Sequence, residues 1–506
     1  MKKIIQIKAL EKIVSKLKAK GKKVVLCHGV FDLLHIGHIN HFHEAKDHGD
    51  ILVVTVTSDQ YVNKGPNRPA FSEEDRLKAL AALNVVDYVA LNKSPTAISA
   101  IKGLKPNIYC KGPDYKLHKN DISGEIINEI DALKKNGGKI VYTKGVTFSS
   151  SNLINRFSQI CSHEQKIAIN EIKRKYSFSK IRELIENFKK LKILIIGETI
   201  IDQYFFCDAL GKSGKEPVLV LRDLKTEQYL GGAGAISRHA AQFSDKITLL
   251  SMIGEKGEFL NEIKKNLPKK INFDYIKKKN SPTILKKRFL DIVTNNKVLG
   301  VYKINDDVLI KKEEKLFNNK LKKLIPKHDL VIVSDYGHGL ISKKSSEIIC
   351  KNSKYLALNA QINAANVGYH SMKKYKNVDC MIINEKEIRH ELRDKNGNIK
   401  LLMKRLAKSQ KVKNMIVTKG VDGSIFYNRK NNKFDLSDGF AKKAVDKIGA
   451  GDAMLSTVAL CLKFKFDEKL AMLIGSLAAA HSVETIGNKE PINKIKILKS
   501  MEHLLK

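Results

Sequence analysis

Cys27-His28-Gly29-Val30-Phe31-Asp32-Leu33-Leu34-His35-Ile36-Gly37-His38 lies between an apolar run and a helical pattern. Ahead of it, Val24-Val25-Leu26 is short, apolar and β-branched, which predicts a buried strand. Behind it, Ile39 to Lys46 predicts a helix. A strand, a tight turn and two histidines three apart at a helix start make an anion-binding design. Free backbone N–H groups and the helix dipole face an anion, and two imidazoles can donate to the oxygens of a transferring phosphoryl group. The plain alternative is that His35 and His38 are ordinary polar residues on a helix. Gly29, Phe31-Asp32 and Gly37 around them argue against it.

Working outward, residues 4–20 form a helical pattern with Ile7, Leu10, Ile13, Val14 and Leu17 on one side. Ile51 to Val56, Tyr88 to Leu91, Ile108 to Cys110 and Lys139 to Tyr142 predict further strands. Between them lie the basic loop from Lys64 to Pro69, a helix beginning near Ser72 and carrying Arg76, and Lys111-Gly112-Pro113-Asp114-Tyr115. Strands alternating with helices imply a parallel sheet whose ligands bind beyond the strand carboxyl ends, where the histidine motif, Asp59 and Gly112 fall.

The set from Gly29 to His38, with Ser58-Asp59, Lys64, Arg68-Pro69, Arg76, Lys111-Gly112, Asp114-Tyr115 and Ser149 to Asn152, resembles the adenylyltransferase half of the bacterial bifunctional heptose kinase/adenylyltransferases. The likeness covers residues 22–157 in order. It implies that His35 and His38 hold nucleotide phosphates and stabilise charge at the α-phosphorus. It implies nucleotide or phosphate contacts for Gly29, Phe31, Lys64, Arg76, Gly112, Ser149, Ser150 and Ser151. Taken singly, Lys64 and Arg76 read equally as surface basic residues, and the serines as a helix cap.

At 506 residues the chain exceeds one ordinary core, and 43% hydrophobic with 29% charged residues describes a globular protein. No apolar run approaches membrane-spanning length, and Met1 to Gln6 lacks a secretory apolar stretch. Seven scattered cysteines without a C-x-x-C pair argue against a disulfide framework, so a reduced, cytoplasmic setting is expected. The net charge of +39 is nearly all Lys, spread from end to end, with no basic stripe interleaved with aromatics. It favours anionic substrates and singles out no nucleic acid.

Between Gly145 and Gly197 there is neither Gly nor Pro, and residues 159–190 read as a charged helical connector. Beyond it, strands are expected at Ile193 to Ile196, Leu330 to Val333, Met381 to Ile383 and Met415 to Thr418. Gly449-Ala450-Gly451-Asp452 precedes an apolar helix and offers N–H groups to an anion. Asp452 at that start can take a proton from a hydroxyl attacking a γ-phosphate. Each piece also has a plain reading: a turn with a capping Asp, an ordinary helix start at Asn384 and Glu387, a loop at Gly231-Gly232.

The order from Asp202 to Asp452 resembles the ribokinase family of sugar kinases over residues 178–506. That resemblance makes Asp452 the catalytic base and Gly449, Ala450 and Gly451 an anion hole. Asn384 and Glu387 would organise Mg²⁺ indirectly, and Lys419 and Gly420 would line the nucleotide pocket. Asp202, Gly231, Gly232 and Asp335 would bind the sugar. The chain departs from the heptose kinases at Gly232-Ala233-Gly234-Ala235-Ile236-Ser237, at Leu358-Asn359-Ala360-Gln361, and in domain order, which is reversed.

The expected fold class is therefore α/β in two domains: a Rossmann-like nucleotidyltransferase over 1–158, a helical connector over 159–177 and a ribokinase-like α/β sandwich over 178–506. The expected function is a bifunctional enzyme of nucleotide-sugar synthesis, using ATP and Mg²⁺ to make a sugar 1-phosphate and then an NDP-sugar. The resemblance points to heptose 7-phosphate, ADP-heptose and lipopolysaccharide synthesis. Partners would be small sugar phosphates and nucleotides, with no nucleic acid and no membrane. A separate phosphatase would act between the steps, and a homodimer stays open. The nearest alternative uses CTP and a polyol or other sugar phosphate. A class I aminoacyl-tRNA synthetase would share His35-Ile36-Gly37-His38, but it calls for a second Lys-rich signature that the chain lacks and leaves Gly449 to Asp452 unexplained. A binding protein with decayed sites is opposed by intact His35, His38, Asn384, Glu387 and Asp452.

Overall fold

The computed structural model describes residues 3–64, 68–116, 121–122, 124–144, 161–294, 296–362, 366–441 and 444–505. Ser149, Ser150 and Ser151 lie outside them. The chain divides into two compact units, Met1–Ser162 with Ile495–Lys506, and His163–Lys494.

In the first unit five strands, β1 (Val24–Gly29), β2 (Ile51–Thr57), β3 (Tyr88–Asn92), β4 (Ile108–Lys111) and β5 (Lys139–Tyr142), make a sheet in the order β3-β2-β1-β4-β5. Every pairing is parallel. The central strand β1 opens Val-Val-Leu-Cys, fully buried, because helices cover both faces. One face packs Val25, Cys27, Val54 and Val56 with Phe42 and Leu80. The other packs Val24, Leu26 and Val53 with Leu10, Val14, Ile101 and Leu133. Alternate residues of one strand thus feed two cores, and the doubly wound form expected from the sequence follows.

The second unit carries a nine-stranded sheet in the order β10-β9-β6-β13-β14-β15-β16-β17-β18. Its strands are β6 (Lys192–Gly197), β9 (Lys246–Gly254), β10 (Ile271–Lys278), β13 (Leu330–Asp335), β14 (Leu356–Ala360), β15 (Cys380–Asn384), β16 (Asn414–Thr418), β17 (Ser424–Asn428) and β18 (Lys433–Ser437). Pairing is parallel up to β16, and β17 and β18 return antiparallel. A smaller sheet, β12-β11-β7-β8, is built from β7 (Thr199–Lys212), β8 (Leu219–Gly231), β11 (Leu285–Asp291) and β12 (Lys297–Lys303). The inner ends of β7 and β8 are buried and the outer ends exposed.

Two boundaries differ from the sequence expectation. The helix His163–Lys175 is no separate connector: Gln165 donates to the Gly439 carbonyl (3.1 Å) and Lys175 pairs with Asp467 (2.7 Å), both in the second unit. The last helix, Lys494–Leu505, leaves the kinase-like unit at Ile495 and joins the first. It buries Ile497, Leu498, Met501 and Leu504, and Lys499 sits in the field of Asp121 and Glu125. An amphipathic helix shows that it docks, and nothing in its pattern says on what.

Candidate active sites

In the first unit, β1 ends at Gly29 beneath the ring of Phe31, where a Cβ would stand 2.9 Å from that ring. Phe31 holds φ 50°, left-handed backbone that an aromatic residue adopts at a cost, so the turn is held by its surroundings. Asp32 supplies part of the hold. It pairs with Arg68 (2.7 Å) and accepts from the N–H groups of Ala70 (2.8 Å) and Phe71 (3.1 Å), tying the turn to the loop beyond Lys64.

The helix Ile36–Lys46 starts one turn earlier than its apolar pattern suggests, because His35 caps it. The Gly37 N–H donates to His35 Nδ1 (3.1 Å), so the neutral ring carries its proton on Nε2. His38 stacks on His35 with centroids 4.0 Å apart and hydrogen-bonds the Leu33 carbonyl. Burial, His35 and Lys64 push His38 down to about 3, and burial and Lys64 lower His35. Both rings are neutral at physiological pH; His35 keeps its Nε2–H as a donor, whereas the one N–H of His38 is spent on the Leu33 carbonyl. Lys64, whose field reaches both, supplies the positive charge.

Phe31 is buried, its ring edge-on to His38 at 5.4 Å, so it acts through that histidine. Gly112 stands open at the carboxyl end of β4, with free space where a Cβ would be. Arg76 departs from its expected role. It is 2% exposed and donates to the carbonyls of Phe71 (3.1 Å), Val30 (2.5 Å) and Thr57 (2.9 Å) and to Asp59 (2.5 Å). With four of its bonds made inside the protein, it braces the turn.

In the second unit the helix Ala450–Lys463 opens on Gly449 at φ 88°, where a side chain would strike Asn488. No atom lies within 4 Å of a Cβ on Gly451, so the helix start is open on that side. Asp452 is buried at the helix start, and the Tyr336 hydroxyl meets its two oxygens at 3.0 and 3.1 Å. Burial raises its carboxyl to about 7 while the Tyr336 hydrogen bond pulls the other way. A base tuned near neutrality suits proton transfer from a hydroxyl.

Asp202 on β7 lies against Gly231, where a Cβ would stand 2.2 Å from its Oδ2, and Gly232 leaves no room for one beside the Glu198 carbonyl. The two glycines let the turn close over Asp202. Arg288 on β11 pairs with Asp202. Lys286, two residues earlier and 7% exposed, faces Asp202, Glu198 and Asp306 electrostatically, and burial lowers its pKa.

Asn384 and Glu387 form the plain helix start: the Glu387 N–H donates to Asn384 Oδ1 (2.8 Å) and the Asn384 N–H to Glu387 Oε2 (2.7 Å). Glu387 is nonetheless within the field of Asp452, and burial raises it to about 7. Lys419 and Gly420 follow the carboxyl end of β16 and are partly and fully accessible. Asp335 is the second departure. Its carboxylate meets Lys374 (2.7 Å), Tyr375 (2.7 Å) and the Gly337 N–H (3.1 Å), so in this structure it supports the loop bearing Tyr336.

Sequence reasoning missed Tyr336, Glu198, Lys286, Arg288 and Asp446. Glu198 accepts from the Tyr336 and His338 N–H groups (3.0 and 3.2 Å) and is raised to about 7 by burial and Asp335. Asp446 joins Lys297 of β12 (2.5 Å), Tyr204 of β7 (3.1 Å) and the Ile448 N–H (3.1 Å), tying the small sheet to the loop before Gly449. Lys286 and Arg288 were hidden among 92 basic residues, and only their alternation on a strand after Pro282-Thr283 could have marked them.

Comparison with known proteins finds one family over each part of the chain. Residues 190–495 match the model for pfkB family carbohydrate kinase, and residues 26–195 the cytidylyltransferase-like model. The "Bifunctional protein HldE" of Aliarcobacter butzleri (strain RM4018) is 36% identical over 152 residues, 30% of this chain and 30% of that protein. That of Helicobacter pylori (strain J99 / ATCC 700824) is 44% identical over 126 residues, 24% of this chain and 27% of the relative. The aligned part spans under a third of these relatives' length. Phosphofructokinase-2 from Escherichia coli, solved with fructose-6-phosphate, shares the fold: TM-score 0.51, 13% identity, 62% of this chain and 100% of that one. No helix among the described residues is long and apolar enough to cross a membrane. A match over more than half its length, on the unit that holds Asp452 and the Gly449 turn, means that the chain belongs to the pfkB family of carbohydrate kinases, with a cytidylyltransferase-like unit ahead of the kinase.

Proposed function

We propose that the chain is a bifunctional enzyme in which each unit performs one transfer. In the second unit Asp452 takes the proton of an anomeric hydroxyl as that oxygen attacks the γ-phosphorus of ATP, and ADP leaves. The N–H groups of the Gly449-Ala450-Gly451 turn receive the charge on the moving phosphoryl group. Asp202 and the Gly231-Gly232 turn hold the sugar, and Lys419 and Gly420 flank the nucleotide. Asn384 and Glu387 offer oxygen donors, Glu387 in the field of Asp452, a hard set that fits Mg²⁺, and such an ion would supply neutralisation of phosphate charge there. The observation that carries the reading is the buried Asp452, held by Tyr336 at the mouth of an open helix N-terminus.

The substrate proposed is heptose 7-phosphate. A sugar already bearing a phosphate suits buried Lys286 and partly buried Arg288 beside Asp202. In the first unit the resulting sugar 1-phosphate attacks the α-phosphorus of ATP, and pyrophosphate leaves. Neutral His35 donates its Nε2–H to a phosphate oxygen, His38 stacks on it and holds its ring in place, Lys64 neutralises charge, and Ser149 to Ser151 meet the phosphates as the resemblance implies. The product is ADP-heptose, for lipopolysaccharide assembly, and a separate phosphatase removes the 7-phosphate between the steps. CTP is the second nucleotide to try, because the matching family model is cytidylyltransferase-like. The protein works in the cytoplasm, as a homodimer paired through β12, an edge strand exposed along its whole length with Leu299 and Val301 outward.

Pyrophosphate release from heptose 1-phosphate, with ATP and CTP compared, tests the first unit. ADP formation with heptose 7-phosphate tests the second. Absence of both in the folded protein would refute the reading.

A further inference from the structure

Beneath the histidine turn, three side chains that the transfer chemistry does not use converge. Cys27 on β1 and Cys110 on β4 are register partners in adjacent parallel strands, both buried. His41 comes down from the helix Ile36–Lys46 over the same face of the sheet. One sulfur, the other sulfur and a ring nitrogen all lie within 4.8 Å of one another, the one such group of metal-type donors among the described residues.

We propose that Cys27, His41 and Cys110 bind one zinc-class divalent ion, with water in the fourth position. Two sulfurs and an imidazole are the donor set that zinc selects. A tetrahedral ion with bonds of about 2.0–2.3 Å needs donors about 3.5–3.8 Å apart, so the three close by roughly 1 Å on binding. The arrangement around His41 supports this: its Nδ1 bonds the Thr143 hydroxyl (3.1 Å), which fixes the ring and leaves Nε2 for the ion. Each thiol gives its proton to solvent on binding, and the two thiolates balance the dication. The adjacent cation Lys111 is already paired with Glu129 (3.2 Å), so the site gains no unbalanced charge.

A buried cysteine pair alone would be small apolar packing. What separates the two roles is the half-buried imidazole that meets both sulfurs where packing asks for none. The ion would join β1, β4 and the helix whose first turn presents His35 and His38. It is a tie behind the transfer site and takes no part in the chemistry.

The test uses the full chain, stripped with chelator and titrated with Co²⁺ alone, then Zn²⁺. The expected result is one Co²⁺ per chain with a thiolate-to-cobalt charge-transfer band, displaced by Zn²⁺ and lost in Cys27→Val and in Cys110→Val. His41→Gln should weaken binding by about 10-fold or more. No band in the folded wild type, or a band that survives Cys27→Val and so belongs to other cysteines, overturns the proposal. Should the core variants fail to fold, His41→Gln decides by melting: Zn²⁺ raises the wild-type Tm. A rise equally large in His41→Gln overturns the site.

Discussion

Tyr336 sets the working range of Asp452, and the effect can be read from a pH profile. The base must be ionised to accept a proton, and burial holds it near 7, so kcat/KM of the kinase reaction should rise with pH through a limb near 7. The Tyr336 hydroxyl favours the ionised carboxylate. Tyr336→Phe should therefore move that limb to higher pH as well as lowering kcat, whereas a merely structural contact would leave the limb in place. Asp452→Asn should lower kcat by about 10²–10⁴-fold and spare nucleotidyl transfer. Stability should move the other way. A carboxyl raised above its unfolded value favours the fold while protonated and loses that benefit as pH rises through 7. The Asp452→Asn protein should gain melting temperature over wild type at pH 8 and less at pH 5. Lys286→Met should raise KM for the phosphorylated sugar about 10-fold or more, the scale of one lost charge-assisted contact, and leave KM for ATP near its wild-type value. Equal changes in both would sink the phosphate-receptor role.

At the scale of elements, legibility followed how local the cause was. β1, β2 and β6 are announced by their own apolar runs, and Ser72 and Asn384 announce helix starts, because strand burial and capping depend on neighbours in sequence. The internal partners of Arg76 and Asp335 could not be read because they lie far away in sequence: Val30 and Thr57 for the arginine, Lys374 and Tyr375 for the aspartate. Burial with saturated hydrogen bonds cannot be seen in a motif. His35, His38, Asp202 and Asp452 could be singled out as candidates because glycines crowd beside them, and glycine marks close approach. The last helix is the clearest case of a non-local cause. Met501→Ala should cost about 2–5 kcal/mol of the first unit's stability and depress nucleotidyl transfer at elevated temperature. Kinase activity should be unchanged, and a loss confined to the kinase would contradict the assignment of Ile495–Lys506 to the first unit.

For the whole molecule, a charge of +39 spread over the surface should make association with anionic sugar phosphates salt-sensitive. The exposed edge at β12 gives a second expectation. Leu299→Lys should turn a dimer into a monomer in sedimentation at micromolar concentration, and a monomeric wild type would refute pairing there. The topology also fixes an order of manufacture. The unit His163–Lys494 is inserted between the body of the first unit and its closing helix, so the ribosome makes the nucleotidyltransferase sheet first and its final piece last. The helix that buries Met501 and Leu504 joins the first unit only after the whole second unit has been synthesised. A polypeptide aborted anywhere inside the second unit therefore also lacks the last helix of the first, so under the proposed function the two activities would be made in equal numbers.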